Sequence, residues 1–492
     1  MYRSVWLLTL FLLVDHCLVR TWAEGDWAHQ VRELLSASRF SNSVWGVELL
    51  NINSGKVLFA TNEHAQLKPA SNQKLFCAAW ALDQLDPKSR ISTLLRVDGS
   101  IDHQGILHGD LRVIGGGDPT WGSDRDFTDA TNQWTRLLGL IRAANIKKIT
   151  GRLIGDISRT SGSRWGTNRL NSDLIHAYGA EISALNEREN VVTIQVHPST
   201  LNAPTRLVVQ PISTYLIFTN RSSTVSTNHL SSPILLDRKP TSRLVRVDGT
   251  IPINSAPQSF QLSVPSPAEW FLHTLRKKLN EENIVVLGSN RVDSIKEEFS
   301  GSFITGTISS PSLSELTRVM LKESQNLYAE CIFRFVGESL RDPLTTGSTS
   351  EHWATLKMTD WLGQRGIERS EILIEDGSGL SRGNRASAHA FVTLLRWSNG
   401  WRHRELFQSL LPAPGVDGTL KNRFKTFPMR HTLRAKTGSL NGVASLSGFM
   451  KSRQGDPLVF SVILNNHQPL NGKSAREEVD DLVELLGTWS PE

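Results

Sequence analysis

The sequence predicts an α/β (α+β) fold: one antiparallel sheet, built from both ends of the chain and packed with helices, that carries two nested β-rich inserted domains. A helix pattern and a hairpin pattern stand near each end of the chain. Between about residue 97 and about residue 300, short strand-like segments are broken by Gly, Asn, Pro and Ser. At roughly 100 to 200 residues per domain, 492 residues suffice for about two to four domains. The middle is therefore expected to be inserted into a domain made from the two ends.

The first elements are a helix, a hairpin and a second helix. The segment "DWAHQVRELLSASRF" has apolar residues at helical spacing, and "VWGVELLNI" and "KVLFA", separated by Asn53-Ser54-Gly55, predict a β-hairpin. The run "LFCAAWALDQL" that follows is apolar almost all round. It therefore predicts a helix buried in the core.

Helical patterns resume after the β-rich middle, with "SLSELTRVMLKESQNLYAECIFRFVGESL" and "WATLKMTDWLGQRG". Near the C-terminus, "LNGVASLSGFMKS" and "DPLVFSVILNNH" predict a second hairpin, and "SAREEVDDLVELLGTW" predicts a closing helix.

The N-terminal segment predicts an export signal over residues 1–23. Arg3 precedes an apolar run from Val5 to Val14, which is shorter than the roughly 20 residues that span a bilayer. Thr21 and Ala23 are small residues ahead of a cut at Glu24, although an uncleaved membrane anchor is an alternative. The chain is therefore expected to be exported.

Composition narrows the function class. With 39% hydrophobic and 21% charged residues, the chain resembles a soluble globular protein. The formal net charge is +6, but basic residues are scattered among nearly as many acidic ones. This pattern does not predict nucleic-acid binding; it weakly favours an anionic surface nearby, which leaves peripheral membrane association open.

No metal or cofactor is predicted, because no His, Cys or carboxylate cluster has ligand spacing in the sequence. Cys77 and Cys331 each lie in an apolar helical pattern, which favours two buried thiols. A disulfide between them is the alternative in an oxidising compartment.

Three short motifs suggest a catalytic site. A Ser-x-x-Lys pattern, here Ser71-x-x-Lys74, is expected about once by chance in such a chain, and the Ser-x-Asn pattern occurs three times. The Lys-Thr-Gly pattern occurs once, at Lys436-Thr437-Gly438. Their order and context add weight. Ser71 opens the buried helix, Ser324-Gln325-Asn326 separates two helical patterns, and the last motif lies in a strand pattern.

Each position has a chemical reason. Three residues apart on a helix, Ser71 and Lys74 share one face, within reach of each other. A lysine that is partly desolvated beside another cation, such as Lys436, has a lowered pKa and can take the serine proton. The helix N-terminus favours an incoming anion, and an edge strand that carries Lys436-Thr437-Gly438 can pair with an extended peptide.

These motifs, in this order, resemble those of penicillin-binding proteins and serine β-lactamases. The match is closer to the class C low-molecular-mass penicillin-binding proteins, the D-alanyl-D-alanine carboxypeptidase/endopeptidases. Further similar stretches are "GDLRVIGGGDPTW", "LIGDIS", "DGSGLSR", "LPAPGVDGTLKNRF" and "AKTGSLNGV", and the resemblance covers about residues 40 to 485. It implies a transpeptidase-like catalytic domain (24–96 and 300–492), inserted domain II (97–165 and 285–299) and inserted domain III (166–284).

The resemblance also implies roles for the first motif residues. Ser71 would attack the D-Ala-D-Ala carbonyl and form an acyl-enzyme, with Lys74 as the base. Ser324 would relay a proton toward the leaving amine, and Asn326 would hold Lys74 and the substrate backbone. The implied partners are peptidoglycan stem peptides in the periplasm, with β-lactam antibiotics as covalent inhibitors.

The motif in the strand pattern, Lys436-Thr437-Gly438, would bind the substrate. The resemblance implies that Lys436 sets the local potential and that Thr437 and Ser439, on either side of Gly438, bind the terminal carboxylate. The backbone N–H groups of Ser71 and Ser439 would form the oxyanion hole.

Two further positions follow only from the resemblance. Asp156 in "LIGDIS" matches a residue that contacts the far amino group of a diaminopimelate side chain, and Arg382 in "DGSGLSR" matches an arginine near its carboxylate. The alternatives are a turn residue after a strand for Asp156 and a solvated or salt-bridged residue for Arg382.

Two other functions stay open. A serine β-lactamase would need a base for deacylation, and "EISALN", from Glu181 to Asn186, has one residue too many and precedes Ser-x-Asn. A non-catalytic penicillin-sensing or wall-binding protein could share the fold, but it would have no physical reason to keep the whole motif set.

Overall fold

The computed structural model describes residues 26–127, 132–228, 232–295, 302–342, 347–468 and 473–491. The predicted export signal, residues 1–23, lies outside these ranges. Within them, no helix has both the length and the apolar composition that a membrane crossing requires.

The described residues form ten α-helices and twenty-two strands, numbered in chain order. The helices are α1 (Asp26–Leu35), α2 (Gln73–Gln84), α3 (Gln133–Ala143), α4 (Pro267–Glu281), α5 (Leu313–Lys322), α6 (Asn326–Ser339), α7 (Ser350–Gly363), α8 (Ala388–Asn399), α9 (Arg404–Ser409) and α10 (Ala475–Gly487). The strands are β1 (Val44–Asn51), β2 (Val57–Thr61), β3 (Arg90–Ile101), β4 (Ile106–Ile114), β5 (Lys148–Ile149), β6 (Leu153–Asp156), β7 (Val191–His197), β8 (Arg206–Gln210), β9 (Ile217–Asn220), β10 (Ser223–Val225), β11 (Leu235–Asp237), β12 (Leu244–Asp248), β13 (Thr250–Pro252), β14 (Gln258–Ser263), β15 (Val285–Val286), β16 (Asn290–Asp293), β17 (Ser302–Ser312), β18 (Ile372–Leu373), β19 (Arg385–Ala386), β20 (Arg434–Leu440), β21 (Val443–Lys451) and β22 (Pro457–Asn465).

The central sheet joins the two ends of the chain, as predicted. Its five antiparallel strands run in the order β2-β1-β22-β21-β20. The full length of β1 pairs with β22, from Val44 opposite Asn465 to Asn51 opposite Leu458. Side chains of β22 alternate between two cores: Val459 and Ile463 pack with α2, α6 and α8, whereas Leu458 and Val462 pack with α1 and α10.

The buried helix predicted after the first hairpin is α2. Every residue from Gln73 to Leu82 is buried, and Phe76 stacks on Phe391 of α8 with ring centroids 4.5 Å apart. A short 3₁₀ turn, Ala70–Asn72, leads into it. Because α2 is packed on all sides, its first turn is a rigid place for a reactive side chain.

The middle of the chain has its own sheets and cores. A larger sheet runs β15-β5-β4-β3-β17, with β6 paired to both β4 and β16. Three smaller sheets combine β7, β8 and β14; β9, β11 and β12; and β10 and β13. Their apolar residues form clusters separate from those of the central sheet. The predicted division at residues 97, 165, 285 and 300 stays a prediction; the larger sheet starts at Arg90 and ends at Ser312.

The middle is less purely β than predicted, because α3 and α4 cover the larger sheet. In α3, Trp134, Leu137 and Ile141 are buried at helical spacing. In α4, Phe271 and Leu275 pack into the same core. The prediction of a β-rich middle overlooked both patterns, although α4 alone spans 15 residues.

Cys77 and Cys331, the cysteines among the described residues, are unpaired and buried. Cys77 Sγ donates to the carbonyl of Ala329 (3.7 Å), and Cys331 Sγ accepts from Asn186 Nδ2 (3.7 Å). Both thiols therefore pack as small core residues, and the disulfide alternative is not present in this structure.

Candidate active site

The first two predicted residues meet at the start of α2. Ser71 lies in the 3₁₀ turn Ala70–Asn72, and Lys74 Nζ donates a 2.9 Å hydrogen bond to Ser71 Oγ. Ala70, just before the serine, has a left-handed φ of 49°, a strained conformation for a residue with a Cβ. Ser71 is half-buried and Lys74 is fully buried. The helix thus presents the hydroxyl while it encloses the amine.

The Lys74 ammonium is surrounded by neutral oxygens. Besides Ser71 Oγ, its Nζ donates to Asn326 Oδ1 (2.6 Å) and to the carbonyl of Ser378 (2.7 Å). Burial lowers the pKa of Lys74 to about 7, although the charges of Asp376 and Glu330 act to raise it. A large fraction of Lys74 is therefore neutral near pH 7 and can accept a proton.

Ser324 and Lys436 form a second lysine–serine pair. Ser324 lies between α5 and α6 with a left-handed φ of 60°. Lys436 Nζ donates to Ser324 Oγ (2.8 Å) and to the carbonyl of Thr437 (2.7 Å). Burial, together with the charge of Lys74, holds the pKa of Lys436 well below its ordinary value. Two buried amines therefore share one site and oppose each other's protonation.

Strand β20 brings the third motif against the nucleophile. A Cβ on Gly438 would lie 2.7 Å from the carbonyl oxygen of Pro69 and 3.0 Å from the backbone nitrogen of Ser71, so only glycine permits this approach. Thr437 is buried and its Oγ1 donates to Thr419 Oγ1 (2.8 Å), whereas Ser439 is exposed. The sequence analysis did not single out Thr419, although it lies in one of the family-like stretches.

A cluster of buried ion pairs lies next to the turn that holds Ser378. Arg169 Nη2 donates to Glu330 Oε1 (2.6 Å) and Asp376 Oδ2 (3.0 Å), and all three side chains are almost fully buried. Asp376 also accepts from the backbone N–H of Gly379 (2.7 Å) and shapes the turn that holds Ser378. Neither Arg169 nor Glu330 belongs to one of the three motifs, and they are 161 residues apart, so no local pattern predicted their pairing.

Comparison with known proteins agrees with this geometry. The model of the D-Ala-D-Ala carboxypeptidase 3 (S13) family matches residues 27–486, nearly the whole chain. The chain belongs to this family. It is therefore a serine peptidase, which confirms the family that the motifs resemble.

Individual S13 relatives are similar over most of their length. The D-alanyl-D-alanine carboxypeptidase of Actinomadura sp. (strain R39) is 26% identical over 487 residues, which cover 96% of this chain and 87% of that protein. The crystal structure of penicillin binding protein 4 from Haemophilus influenzae superposes with a TM-score of 0.79 at 24% identity, over 92% of this chain and 97% of that one. Its complex with a β-lactam gives a TM-score of 0.72 at 22% identity, over 93% and 98%. These likenesses confirm the predicted fold class.

The two positions that follow only from the resemblance, Arg382 and Asp156, lie in different surroundings. Arg382 is in the same loop as Ser378, and its Nη2 is 3.8 Å from Asp173 Oδ2. Tyr178 links this region to the motif residues, because its carbonyl accepts from Asn326 Nδ2 (2.8 Å). The role of Arg382 near a substrate carboxylate stays a prediction.

Asp156, in contrast, is the last residue of β6 and only 2% exposed. Its carboxylate pairs with Arg112 Nη1 (3.2 Å) and accepts from the N–H of Ser158 (2.9 Å). These contacts favour a structural role. Contact with a substrate amino group, which the resemblance implies, stays a prediction that this buried position does not favour.

Proposed function

We propose that this chain is a serine D-Ala-D-Ala carboxypeptidase, a DD-endopeptidase or both, and that it acts on peptidoglycan stem peptides through an acyl-enzyme on Ser71. The observation that carries the proposal is the 2.9 Å hydrogen bond between Lys74 Nζ and Ser71 Oγ, where burial lowers the lysine pKa to about 7. A partly neutral amine beside a serine hydroxyl is the base that such a nucleophile needs.

Acylation starts when Ser71 Oγ attacks the carbonyl carbon of the scissile bond and its proton passes to Lys74 Nζ. The intermediate collapses as the C–N bond breaks, and the leaving amine takes up the proton that Lys74 Nζ received from Ser71. Ser324 Oγ, which is 2.8 Å from Lys436 Nζ, relays that proton. Water then hydrolyses the ester and restores the Ser71 hydroxyl.

Strand β20 holds the substrate during these steps. The backbone N–H groups of Ser71 and Ser439 stabilise the oxyanion, and loss of one such donor typically costs about 3 to 4 kcal/mol of barrier. The Thr437 and Ser439 hydroxyls bind the terminal carboxylate beside the Lys436 amine. Gly438 supports this arrangement, because it lets β20 approach the Ser71 nitrogen.

The named relatives support the substrates and inhibitors that we propose for this site. One is a D-alanyl-D-alanine carboxypeptidase and another has been crystallised with a β-lactam. We therefore assign D-Ala-D-Ala peptides as substrates and β-lactams as covalent inhibitors. Action on peptidoglycan places the protein outside the cytoplasm, in the periplasm or on the outer face of the membrane, as the predicted export signal requires. Peripheral membrane association stays a prediction.

Intact mass after incubation with labelled penicillin tests the nucleophile. We expect one adduct on the wild type and on Ser36→Ala, which alters an exposed serine, and none on Ser71→Ala. An adduct that persists on Ser71→Ala would refute the assignment.

Substrate assays then separate the activities. Release of D-Ala from a pentapeptide identifies a carboxypeptidase, and cleavage of a cross-linked dimer identifies an endopeptidase. If neither is cut while penicillin still binds, the protein is a penicillin sensor.

Rapid loss of the penicillin adduct would instead indicate a β-lactamase. Glu181 offers little support for that function, because its carboxylate accepts from Arg164 Nε (2.7 Å) and from the N–H of Ser266 (3.0 Å), both in the middle of the chain.

A further inference from the structure

Three metal-binding side chains converge at a place that the catalytic mechanism does not use. His64, Glu371 and His389 each offer one ligand atom, and these atoms all lie within 4.8 Å of one another. His64 follows β2, Glu371 ends the 3₁₀ turn before β18, and His389 is the second residue of α8. The sequence analysis predicted no metal site, because His64 and Glu371 are 307 residues apart.

Each histidine of this cluster contacts a buried carboxylate. His64 Nδ1 is 2.8 Å from Glu371 Oε1, and His389 Nδ1 is 2.9 Å from Glu48 Oε2. Glu48 is 1% exposed and Glu371 is 5% exposed. The two imidazole rings lie 4.6 Å apart, centroid to centroid. A carboxylate that orients an imidazole from behind, as Glu48 does for His389, is typical of protein metal sites.

The charges and distances fit one divalent cation. Glu371, Glu48 and Glu63 all place negative charge near His389. A zinc ion bonds histidine nitrogen and carboxylate oxygen at about 2.0 to 2.2 Å, so its ligand atoms stand roughly 3.3 Å apart. The His64 side chain is 64% exposed and can rotate to reach this spacing if it exchanges its hydrogen bond to Glu371 for the ion. His389 Nε2 would likewise exchange its 3.4 Å contact with Thr393 Oγ1.

We propose that His64, Glu371 and His389 bind one Zn²⁺ ion, with water completing the coordination. Two imidazoles and one carboxylate suit zinc, whereas Mg²⁺ and Ca²⁺ prefer oxygen ligands alone. The buried Glu48 orients His389 and offsets the charge of the ion. The proposal does not depend on the reaction assigned to Ser71.

The ion would join three segments that lead to the catalytic residues. Glu371 precedes, and His389 follows, the loop that contains Ser378, whose carbonyl accepts from Lys74. His64 precedes Ser71 in the chain, and this segment is bonded to the same loop's end through Leu67 and Ala386 (3.1 and 2.9 Å). Zinc bound here would therefore stabilise the folded state by linkage.

The test uses the untagged, chelator-treated full chain and a calorimetric titration with Zn²⁺. We expect one ion per chain in the wild type and at least tenfold weaker binding in His64→Ala and in Glu371→Gln. Zinc should raise the melting temperature of the wild type and not that of His64→Ala. His64 is exposed, so this variant is expected to fold, which circular dichroism checks.

His108→Ala is the matched control. His108 Nε2 lies 2.8 Å from Asp102 Oδ2 on an exposed surface. This pair belongs to no group of three metal-binding side chains among the described residues. This variant should bind Zn²⁺ as the wild type does. The proposal is overturned if the wild type binds no zinc up to millimolar concentration, or if the His64 and Glu371 variants bind as tightly as the wild type.

Discussion

Two of the sites where the described residues bury positive charge, one in the larger sheet and one beside Ser71, give it partners of opposite kinds. In the larger sheet, Arg112 is fully buried and donates to Asp98 (2.8 Å), Asp293 (2.7 Å) and Asp156 (3.2 Å). Beside Ser71, Lys74 and Lys436 are fully buried as well, but their hydrogen bonds go to hydroxyl, amide and carbonyl oxygens.

The partners decide what each buried cation can do. Burial acts to lower the pKa of Arg112, but its hydrogen bonds to Asp98 and Asp293 outweigh burial and raise it. For Lys74, burial prevails and lowers the pKa to about 7. A cation paired with carboxylates is therefore a fixed structural charge, whereas an amine among neutral oxygens can exchange its proton at physiological pH.

The strongest test of this contrast is Lys74→Arg, which keeps the charge but removes a base that can be neutral. We expect acylation by penicillin to slow by about 10⁴-fold, the upper end of what general-base catalysis contributes. Stopped-flow measurement of the acylation rate checks it. Lys473→Arg, a change at an exposed lysine, should leave the rate unchanged; a loss of less than tenfold in Lys74→Arg would remove Lys74 as the base.

Arg112→Met should have the opposite effect: it should lower the free energy of unfolding and leave the acylation rate unchanged. It leaves Asp98, Asp156 and Asp293 buried without their shared cation, which typically costs about 3 to 5 kcal/mol. Urea unfolding measures the loss, and acylation per folded molecule should stay near the wild-type value. Arg142→Met breaks an exposed ion pair with Glu282 and should cost less than about 1 kcal/mol. Equal costs for the two variants would contradict the paired role of Arg112.

Asp156→Asn distinguishes the two roles considered for this residue. We expect a loss of about 1 to 3 kcal/mol in unfolding free energy, because a buried charged hydrogen bond becomes neutral. KM should not depend on whether the substrate side chain carries a free or an acetylated amino group. A rise in KM for the free amino group alone would restore the binding role that the resemblance implies.

The smallest expected effect is a pH dependence. Because Lys74 must be neutral to accept the serine proton, acylation should reach half its maximal rate near pH 7 and fall about tenfold per unit below that. The rate should rise from about pH 5 to a plateau above about pH 8. A flat profile would show that Lys74 does not act as the base.

Sequence reasoning reached the fold and the motif contacts because both leave local patterns. Two hairpins with alternating apolar residues predicted the shared sheet. Ser71 and Lys74 lie in contact because residues three apart on a helix share one face. Arg169 and the contacts of Asp156 belong to none of the three motifs, and their partners lie 44 to 207 residues away, so no local pattern predicted them. A buried arginine and a solvated one look the same in a sequence.

The pairing of β1 with β22 has a consequence for the order of assembly. Strand β1 pairs on one side with β2, which is made directly after it, but its partner on the other side is β22, made more than 400 residues later at positions 457–465. Strand β20, which lies against the Ser71 backbone, is joined to β1 through β21 and β22, so it is held in the sheet only once β22 is in place. The site can therefore form only after residue 465 has been made, and a chain interrupted before β20 carries an inert serine.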